Sequence, residues 1–401
     1  MPWNFPIPSV TLPIPWNPLI LFGTLLISGL LGAQLIARIS WIPRISGYLL
    51  IGFILGSGGL NWLTGDMADV MRIFADIAVA LTVYQLGRYV DLAWLVRERW
   101  LLLNIVMSAL LTFGFTWYLL EWFGLPRSTS MLAGIFAIGT SPAIVMAVMR
   151  DLRAEGHISR RLAAMSALNN FIALLAAYVL LPALASEKSA TVLTLISHTA
   201  YSLGGSFLLA YCTYLLMMPL ARWLGRQRTQ QFVLVIAILT ITLGAAHALR
   251  LPVLLTMLAF AILSRNLDHR YDLMELEFGI VGELFIVLMF ISFGASMQLR
   301  HWSTIAIPVL LVVTARCVAI GMASFAFARP AKLSWKQAAW FSIGSLPLTE
   351  SGFGLIQISA VYPNTTADFI PIIVGSLFVL EILGPIATQF ALIKSGECGH
   401  V

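Results

Sequence analysis

Long apolar runs recur along the whole chain, and short polar or basic stretches separate them. A run of about 20 apolar residues is long enough for an α-helix to cross the hydrocarbon of a bilayer. Because 59% of the 401 residues are hydrophobic and only 10% are charged, a soluble globular protein is excluded. The pattern predicts an all-α polytopic membrane protein with about 13 transmembrane helices, at about 18–39, 43–59, 69–90, 100–122, 129–149, 160–184, 193–222, 230–247, 252–265, 276–298, 304–328, 336–361 and 368–393.

Basic residues are distributed unevenly between the two sets of loops. The loops after odd-numbered segments, together with the C-terminal tail, hold 18 of the 24 Lys and Arg residues, and the opposite side holds 5. Since Lys and Arg accumulate in cytoplasmic loops, we expect the N-terminus outside and the C-terminus in the cytoplasm of a multi-pass inner-membrane protein. The same rule explains the net charge of +6, so a nucleic-acid partner is not expected.

The three cysteines, Cys212, Cys317 and Cys398, form neither a metal-binding spacing nor a disulfide framework. No cofactor is expected, and no metal beyond a transported monovalent cation.

The fifth apolar run contains Gly139-Thr140-Ser141-Pro142 at its centre. A proline inside a helix removes a backbone donor and clashes with the preceding turn. Backbone groups freed in this way persist at membrane depth only where they are buried in protein or line a cavity. Asn169 and Asn170 lie midway along the next run and can supply hydrogen bonds to such a break or bind an ion. Thr140, Ser141, Asn169 and Asn170 are therefore candidate cation ligands, although the two asparagines could also be inter-helix hydrogen-bonding residues.

A second interruption is predicted in the twelfth run, at Gly344-Ser-Leu-Pro347-Leu-Thr-Glu350. If 18–184 and 230–393 are two repeats joined by the helix at 193–222, both breaks fall on the fifth helix of a repeat. Six helices and one linker then make the repeats inverted within a single membrane domain spanning 1–401. Interrupted helices at matching positions of inverted repeats indicate the binding site of a transporter.

Three ionisable residues lie near the middle of apolar runs: Arg316, Glu350 and Glu381. Charges inside a membrane are costly, so each is a functional hypothesis by default. Arg316 could neutralise Glu350 or Glu381 structurally, or balance charge during transport. Glu350 follows a break and is the first candidate for a proton carrier. Glu381 is the second, and it could instead cap a broken helix or form a structural ion pair.

These motifs resemble the monovalent cation/proton antiporters of the Na⁺/H⁺ exchanger superfamily, especially the bacterial branch that includes the potassium-efflux antiporters. The resemblance covers nearly the whole chain. It rests on Pro43–Gly56, Gly139–Ala143, Ala167–Asn170, Arg316 and Leu346–Phe353. It implies two crossing broken helices in a core domain, a scaffold domain that forms a homodimer, and an elevator-like or rocking movement of the core.

Position 170 departs from the family pattern, because family members usually carry Asp where this chain has Asn170. An amide offers a carbonyl oxygen to a cation but cannot exchange a proton for it. The eight residues after 393 contain no Rossmann-type glycine fingerprint, so a regulatory domain is expected only as a separate subunit.

We expect exchange of a monovalent cation, Na⁺ or K⁺, for protons. The alternative is uncoupled or symport-type permeation of an ion or small solute on the same scaffold, which Asn170 favours. A membrane-embedded enzyme is disfavoured, because the loops are short and mostly basic.

Overall fold

The computed structural model of this chain describes residues 18–38, 42–56, 59–60, 62, 66–185, 192–225, 227–268, 279–296, 302–349 and 369–398. Within these ranges every regular element is a helix, as the apolar pattern predicts. The helices are α1 (Pro18–Ala37), α2 (Arg44–Leu55), α3 (Asp66–Arg88), α4 (Leu92–Arg97), α5 (Arg99–Trp122), α6 (Arg127–Ile138), α7 (Pro142–Asp151), α8 (His157–Ala185), α9 (Val192–Leu224), α10 (Arg228–Ala248), α11 (Val253–Leu267), α12 (Gly279–Ser296), α13 (Trp302–Ala326), α14 (Trp335–Gly344) and α15 (Phe369–Ser395).

The predicted apolar segments and the observed helices agree closely in position. Six helices of the described part, α5, α8, α9, α10, α13 and α15, are long and apolar enough to cross a membrane. The short helix α4 was not predicted. It begins where the Asp91 side chain accepts a hydrogen bond from the Trp94 amide at 3.0 Å, the usual stabilisation of a helix N-terminus. Glu350 and the second half of the predicted segment 336–361 lie outside the described residues.

The helices pack as two bundles. Helices α1, α2, α3, α9, α10, α11 and α12 contact mainly one another and form the scaffold bundle. Helices α5, α6, α7, α8, α13, α14 and α15 do the same and form the core bundle. The bundles meet chiefly where α3 and α11 face α7 and α8, and where α8 packs against α9.

Close packing inside the scaffold bundle depends on small residues. A Cβ at Gly52 would lie 2.1 Å from the Ile291 carbonyl oxygen, and one at Gly56 would lie 2.2 Å from the Ala295 Cα. Helix α2 therefore rests directly on the backbone of α12, which is the contact that small residues four apart permit between membrane helices.

Several of the basic loops meet on one face of the molecule. We call this face, formed by the connections 89–98, 152–156 and 327–334 and the tail after α15, the basic face. Arg161 binds Glu98 at 2.8 Å and the Ala331 carbonyl oxygen at 3.1 Å. The Glu397 carboxylate, which follows α15, accepts hydrogen bonds from the Ile158 and Ser159 amides, each at 2.7 Å, and so caps the start of α8. These contacts hold the connections 89–98, 152–156 and 327–334 and the tail together on one side of the core bundle.

Candidate functional site

The helix of the fifth apolar run is interrupted where the sequence predicts. Helix α6 ends at Ile138 and α7 begins at Pro142, with residues 139–141 in extended conformation. Pro142 occupies the first turn of α7, where its missing amide hydrogen costs no helical hydrogen bond. The Ser141 hydroxyl accepts a hydrogen bond from the Ile144 amide at 3.2 Å and caps α7. The predicted break is confirmed.

The second non-helical stretch crosses the first. Helix α14 ends at Gly344, and the chain that follows forms an antiparallel bridge between Leu348 and Thr140. The Ser141 amide donates to the Pro347 carbonyl oxygen at 3.0 Å. A Cβ at Gly139 would lie 2.1 Å from Cγ2 of Thr349, so only glycine permits this approach. We call residues 137–141 together with 345–349 the crossing.

The Arg316 guanidinium lies inside the crossing and is fully buried, at 0% exposure. Its Nη2 donates to the carbonyl oxygens of Ser345 and Pro347, each at 3.0 Å, and its Nε donates to the Leu346 carbonyl oxygen at 3.0 Å. Its Nη1 donates to the carbonyls of Ala137 and Ile138 at the end of α6. Nη2 also donates to Oγ1 of Thr140 at 3.0 Å. The guanidinium therefore satisfies carbonyls at the ends of α6 and α14, where the last carbonyls of a helix have no amide partner within the helix.

This geometry differs from a direct pairing of Arg316 with Glu381, which the sequence left open. In the part of the chain that the structure describes, all partners of Arg316 are uncharged oxygen atoms. Glu381 lies on α15 and is 1% exposed. The partner predicted alongside it, Glu350, is outside the described residues. Arg316 thus places a fixed positive charge at the crossing.

Helix α8 presents three polar side chains to the Thr140 segment. The Asn170 Nδ2 atom donates to the Thr140 carbonyl oxygen at 2.9 Å, and the Ser166 hydroxyl donates to the same oxygen at 3.1 Å. The Asn169 Nδ2 atom donates to Thr140 Oγ1 at 3.1 Å. Residues 166, 169 and 170 lie on one helical face because of their spacing, so this face of α8 supplies hydrogen-bond donors to the non-helical segment at Thr140.

Thr140 and Ser141 consequently already accept hydrogen bonds from within the protein. Both oxygen atoms of Thr140 accept hydrogen bonds from α8, and the Ser141 hydroxyl caps α7. Their role as cation ligands stays a prediction, as does that of Asn169. Asn169 keeps a buried Oδ1 atom with no hydrogen-bond partner among the described residues.

A cleft between the two bundles borders the crossing. Its volume is about 310 Å³, part of which is open to solvent. Its polar lining is Asn170 and Thr349, and Pro142 completes the core-bundle side together with Leu174. The scaffold side is apolar, formed by Val79, Val83, Leu86, Leu254 and Leu258. The cleft therefore combines a few convergent polar groups with apolar walls, as binding sites usually do.

Among the predicted site residues that the structure describes, only Asn170 lines this cleft. Thr349 entered the sequence analysis only as part of the motif Leu346–Phe353. Its position directly before Glu350 could have indicated that it lies at the site. Ser166 could have been found because it lies one helical turn before Asn170. The apolar lining of α3 and α11 carried no distinguishing signal.

The bundles are joined by a polar contact beside the cleft, at the basic face. The Nη2 atom of Arg150, near the end of α7, donates to Oε1 of Gln85 on α3 at 2.8 Å. Gln85 directly precedes the lining residue Leu86. At the end of α10, His247 lies 3.8 Å from Asp76 of α3, a contact within the scaffold bundle. No cluster of His, Cys, Asp and Glu suited to a metal is found in the described ranges.

Solved structures with the same fold include two of one antiporter from Methanocaldococcus jannaschii. The structure of the sodium proton antiporter MjNhaP1 at pH 8 superposes with a TM-score of 0.65 at 18% identity, covering 94% of this chain and 95% of that one. An electron-microscopy structure of MjNhaP1 superposes with a TM-score of 0.71, also at 18% identity, covering 94% and 96%. At this identity the similarity shows the fold.

Two sequence relatives are similar to part of the chain. A Na⁺/H⁺ antiporter of Enterococcus hirae is 26% identical over 129 residues, which is 32% of this chain and 33% of the relative. A probable Na⁺/H⁺ antiporter of M. jannaschii is 31% identical over 113 residues, or 28% and 29%. Each alignment spans about a third of the relative's length.

The transmembrane sodium/hydrogen exchanger family matches residues 22–394, nearly the whole chain. This match agrees with the resemblance carried by the two breaks, the asparagine pair and Arg316. The chain belongs to the sodium/hydrogen exchanger family of membrane transporters.

Proposed function

We propose that this protein exchanges a monovalent cation, Na⁺ or K⁺, for protons across the inner membrane. The proposal includes about 13 membrane segments in two inverted repeats, about 18–184 and 230–393, joined by α9. It also places the N-terminus outside and the basic face in the cytoplasm. The observation that carries it is the position of Asn170, which lines a cleft between two bundles while donating to the unwound backbone of the crossing.

The cation site is proposed at the cleft side of the crossing. Asn170 supplies a neutral amide oxygen and Thr349 a hydroxyl oxygen, which are suitable ligands for an alkali cation. Thr140, Ser141 and Asn169 complete the candidate set through their contacts with the same backbone. The apolar walls of α3 and α11 limit how much water accompanies the ion, which strengthens electrostatic interactions in the cleft.

Arg316 determines how a proton could displace the cation. Its positive charge is fixed within the crossing and has no carboxylate among its described partners. A nearby ionised carboxylate would neutralise this charge and tolerate a bound cation, whereas the protonated acid would leave the site positive and expel it. Glu350 is the first candidate for that carboxylate, because it follows the cleft residue Thr349 in sequence. Glu381 of the core bundle is the second.

A second candidate function is uncoupled or symport-type permeation of an ion or small solute. The specific observation in its favour is that Asn170 holds its amide donor 2.9 Å from the Thr140 carbonyl oxygen, as a permanently protonated acid would. This site cannot itself release a proton. Homodimerisation through the scaffold bundle and a separate regulatory subunit are further proposals that follow from the family.

The experiment is proton movement in proteoliposomes that contain a pH-sensitive dye. Addition of Na⁺ or K⁺ should change the internal pH when the full chain is present. It should have no effect in empty liposomes. Cation uptake with no accompanying pH change would support the uncoupled alternative, and absence of both would overturn the transport proposal.

A further inference from the structure

A basic and aromatic surface lies on the core bundle where α5 begins and α13 ends. The Arg99 guanidinium carbon is 5.7 Å from the centroid of the Trp100 ring, and that of Arg329 is 5.4 Å from the centroid of the Trp335 ring. Both tryptophans are solvent-exposed in the isolated chain, at 37% and 52%. Tryptophan with arginine at a helix end is typical of the level at which lipid headgroups meet hydrocarbon.

Ring contacts join these two pairs into one surface. Trp100 packs on Phe327 with centroids 6.3 Å apart, and Trp335 packs on Phe325 with centroids 6.1 Å apart. Phe325 and Phe327 stand at the junction of α13 with its following turn. We call Arg99, Trp100, Phe325, Phe327, Arg329, Lys332, Trp335 and Lys336 the headgroup patch.

The turn between α13 and α14 carries Phe327, Arg329 and Lys332 of the headgroup patch, and hydrogen bonds within the turn hold its backbone. The Leu333 amide donates to the Ala328 carbonyl oxygen at 2.8 Å. Ser334 and Gln337 form a reciprocal cap at the start of α14, with bonds of 3.2 and 2.9 Å. The basic side chains therefore project from a rigid turn, and binding a ligand there requires little ordering of the backbone.

An apolar wall continues from the headgroup patch along the membrane-spanning part of the two helices. Val318 and Met322 on α13 are 52% and 50% exposed, and Leu103 and Leu110 on α5 are 46% and 61% exposed. Helices α5 and α13 pack directly against each other, so these side chains form one continuous face. Its length and apolarity suit acyl chains.

The charge of the headgroup patch is uniformly positive. Arg99, Arg329, Lys332 and Lys336 are all exposed. The neighbouring acid Glu98 is already bound to Arg161 at 2.8 Å. At the other end of α5 the exposed acid Glu121 is accompanied by the exposed base Arg127, so the excess of positive charge lies at the headgroup-patch end of the wall.

We propose that the headgroup patch binds an anionic phospholipid, with its phosphate-containing headgroup on Arg99 and Arg329 and its acyl chains along the α5–α13 wall. Each basic residue close to an anionic lipid adds favourable interaction, and arginine is suited to bidentate contact with phosphate. The lipid attaches to the bundle that contains the crossing and lies apart from the cation cleft.

The test uses the detergent-purified full chain and measures its thermal unfolding midpoint during titration with phosphatidylglycerol or phosphatidylcholine of the same acyl chains. Phosphatidylglycerol should stabilise the unaltered protein at lower concentration. The Arg99→Gln/Arg329→Gln double variant should need about fivefold more of this lipid for each charge removed. The matched control, Arg38→Gln/Arg44→Gln, removes two exposed basic residues of the scaffold bundle and should titrate like the unaltered protein.

Equal responses to the two lipids, or an equal loss in the control variant, would overturn the proposal. If the double variant does not fold, tryptophan quenching decides. Phosphatidylglycerol with brominated acyl chains should quench the unaltered protein more than Trp335→Phe, and the brominated phosphatidylcholine should show a smaller difference. No difference between the two lipids in this comparison would also contradict a headgroup-selective site.

Discussion

Replacing Arg316 tests the physical basis of the crossing. In Arg316→Met, the carbonyls of Ala137, Ile138, Ser345 and Leu346 lose their donor, and in the described residues no other hydrogen bond replaces it. A buried acceptor left unsatisfied costs about 1–3 kcal/mol. Because the backbone at the crossing can relax, the total free-energy penalty for the four carbonyls would be smaller than the sum of the four separate penalties. We therefore expect a loss of about 3–5 kcal/mol, the range found when one partner of a buried charged contact is removed.

Lysine at the same position gives an intermediate case. Arg316→Lys retains the positive charge but offers three donors in place of five, so it can satisfy only some of the six acceptors. We expect about half the destabilisation of the methionine variant. The assay is fluorescence-detected thermal unfolding in detergent, where the methionine variant should unfold about 5 °C lower.

The control for this series is Thr314→Val on the same helix, because Thr314 is exposed and its hydroxyl donates only to carbonyl oxygens of the preceding helical turn, those of Leu310 at 2.8 Å and Leu311 at 3.0 Å. The control should unfold close to the unaltered protein. A methionine variant with an unchanged midpoint would refute the idea that the guanidinium holds the two breaks together.

Three further variants test the site and the contact between bundles. Gly139→Ala adds a Cβ only 2.1 Å from Cγ2 of Thr349, so the breaks must separate, and we expect at least a tenfold loss of transport rate in proteoliposomes at equal protein content. Gln85→Leu leaves Nη2 of Arg150 without its acceptor, and amide hydrogen exchange in the adjoining ends of α3 and α7 should accelerate about fivefold, corresponding to one lost hydrogen bond. Asn170→Asp can keep its hydrogen bond to the crossing only when protonated, so the transport rate should acquire an additional pH dependence in a flux-against-pH profile.

Each of these variants has an outcome that contradicts the account. Gly114→Ala is the matched control for the glycine, since nothing lies within 4 Å of a Cβ at that position, and equal effects at Gly114 and Gly139 would exclude the close approach as the cause. Unchanged amide hydrogen exchange in Gln85→Leu would show that the Arg150 contact does not join the bundles in solution. An Asn170→Asp profile that matches the unaltered protein would place residue 170 outside the transport site.

The helices and the first break were predictable because each depends on local chemistry. Apolar runs of membrane length define helices whatever their neighbours are, and Pro142 interrupts a helix through its own ring. The end of α14 shortly before Pro347 was predictable in the same way. The short helix α4 was missed because its 6 residues make fewer than two helical turns, too few to show a helical period in the hydrophobic pattern.

Partners of the buried charges were harder to predict. Sequence placed Arg316 at the depth of the break, but depth does not distinguish a carboxylate from a set of carbonyl oxygens. Those carbonyls become acceptors only after two segments about 200 residues apart have crossed. The cleft lining was likewise hidden, because Val83 and Leu258 are apolar residues in apolar helices and only packing brings them opposite Asn170.

The central claim is that proton coupling survives without an acid at position 170 and is carried by another carboxylate of the core bundle. The most direct measurement is cation-driven proton movement in proteoliposomes that contain the unaltered protein, Glu350→Gln or Glu381→Gln at equal density. The account predicts a pH change for the unaltered protein that is abolished in Glu350→Gln, or in Glu381→Gln if the second candidate carries the proton. Cation flux without any pH change in the unaltered protein, or full coupling in both variants, would contradict it.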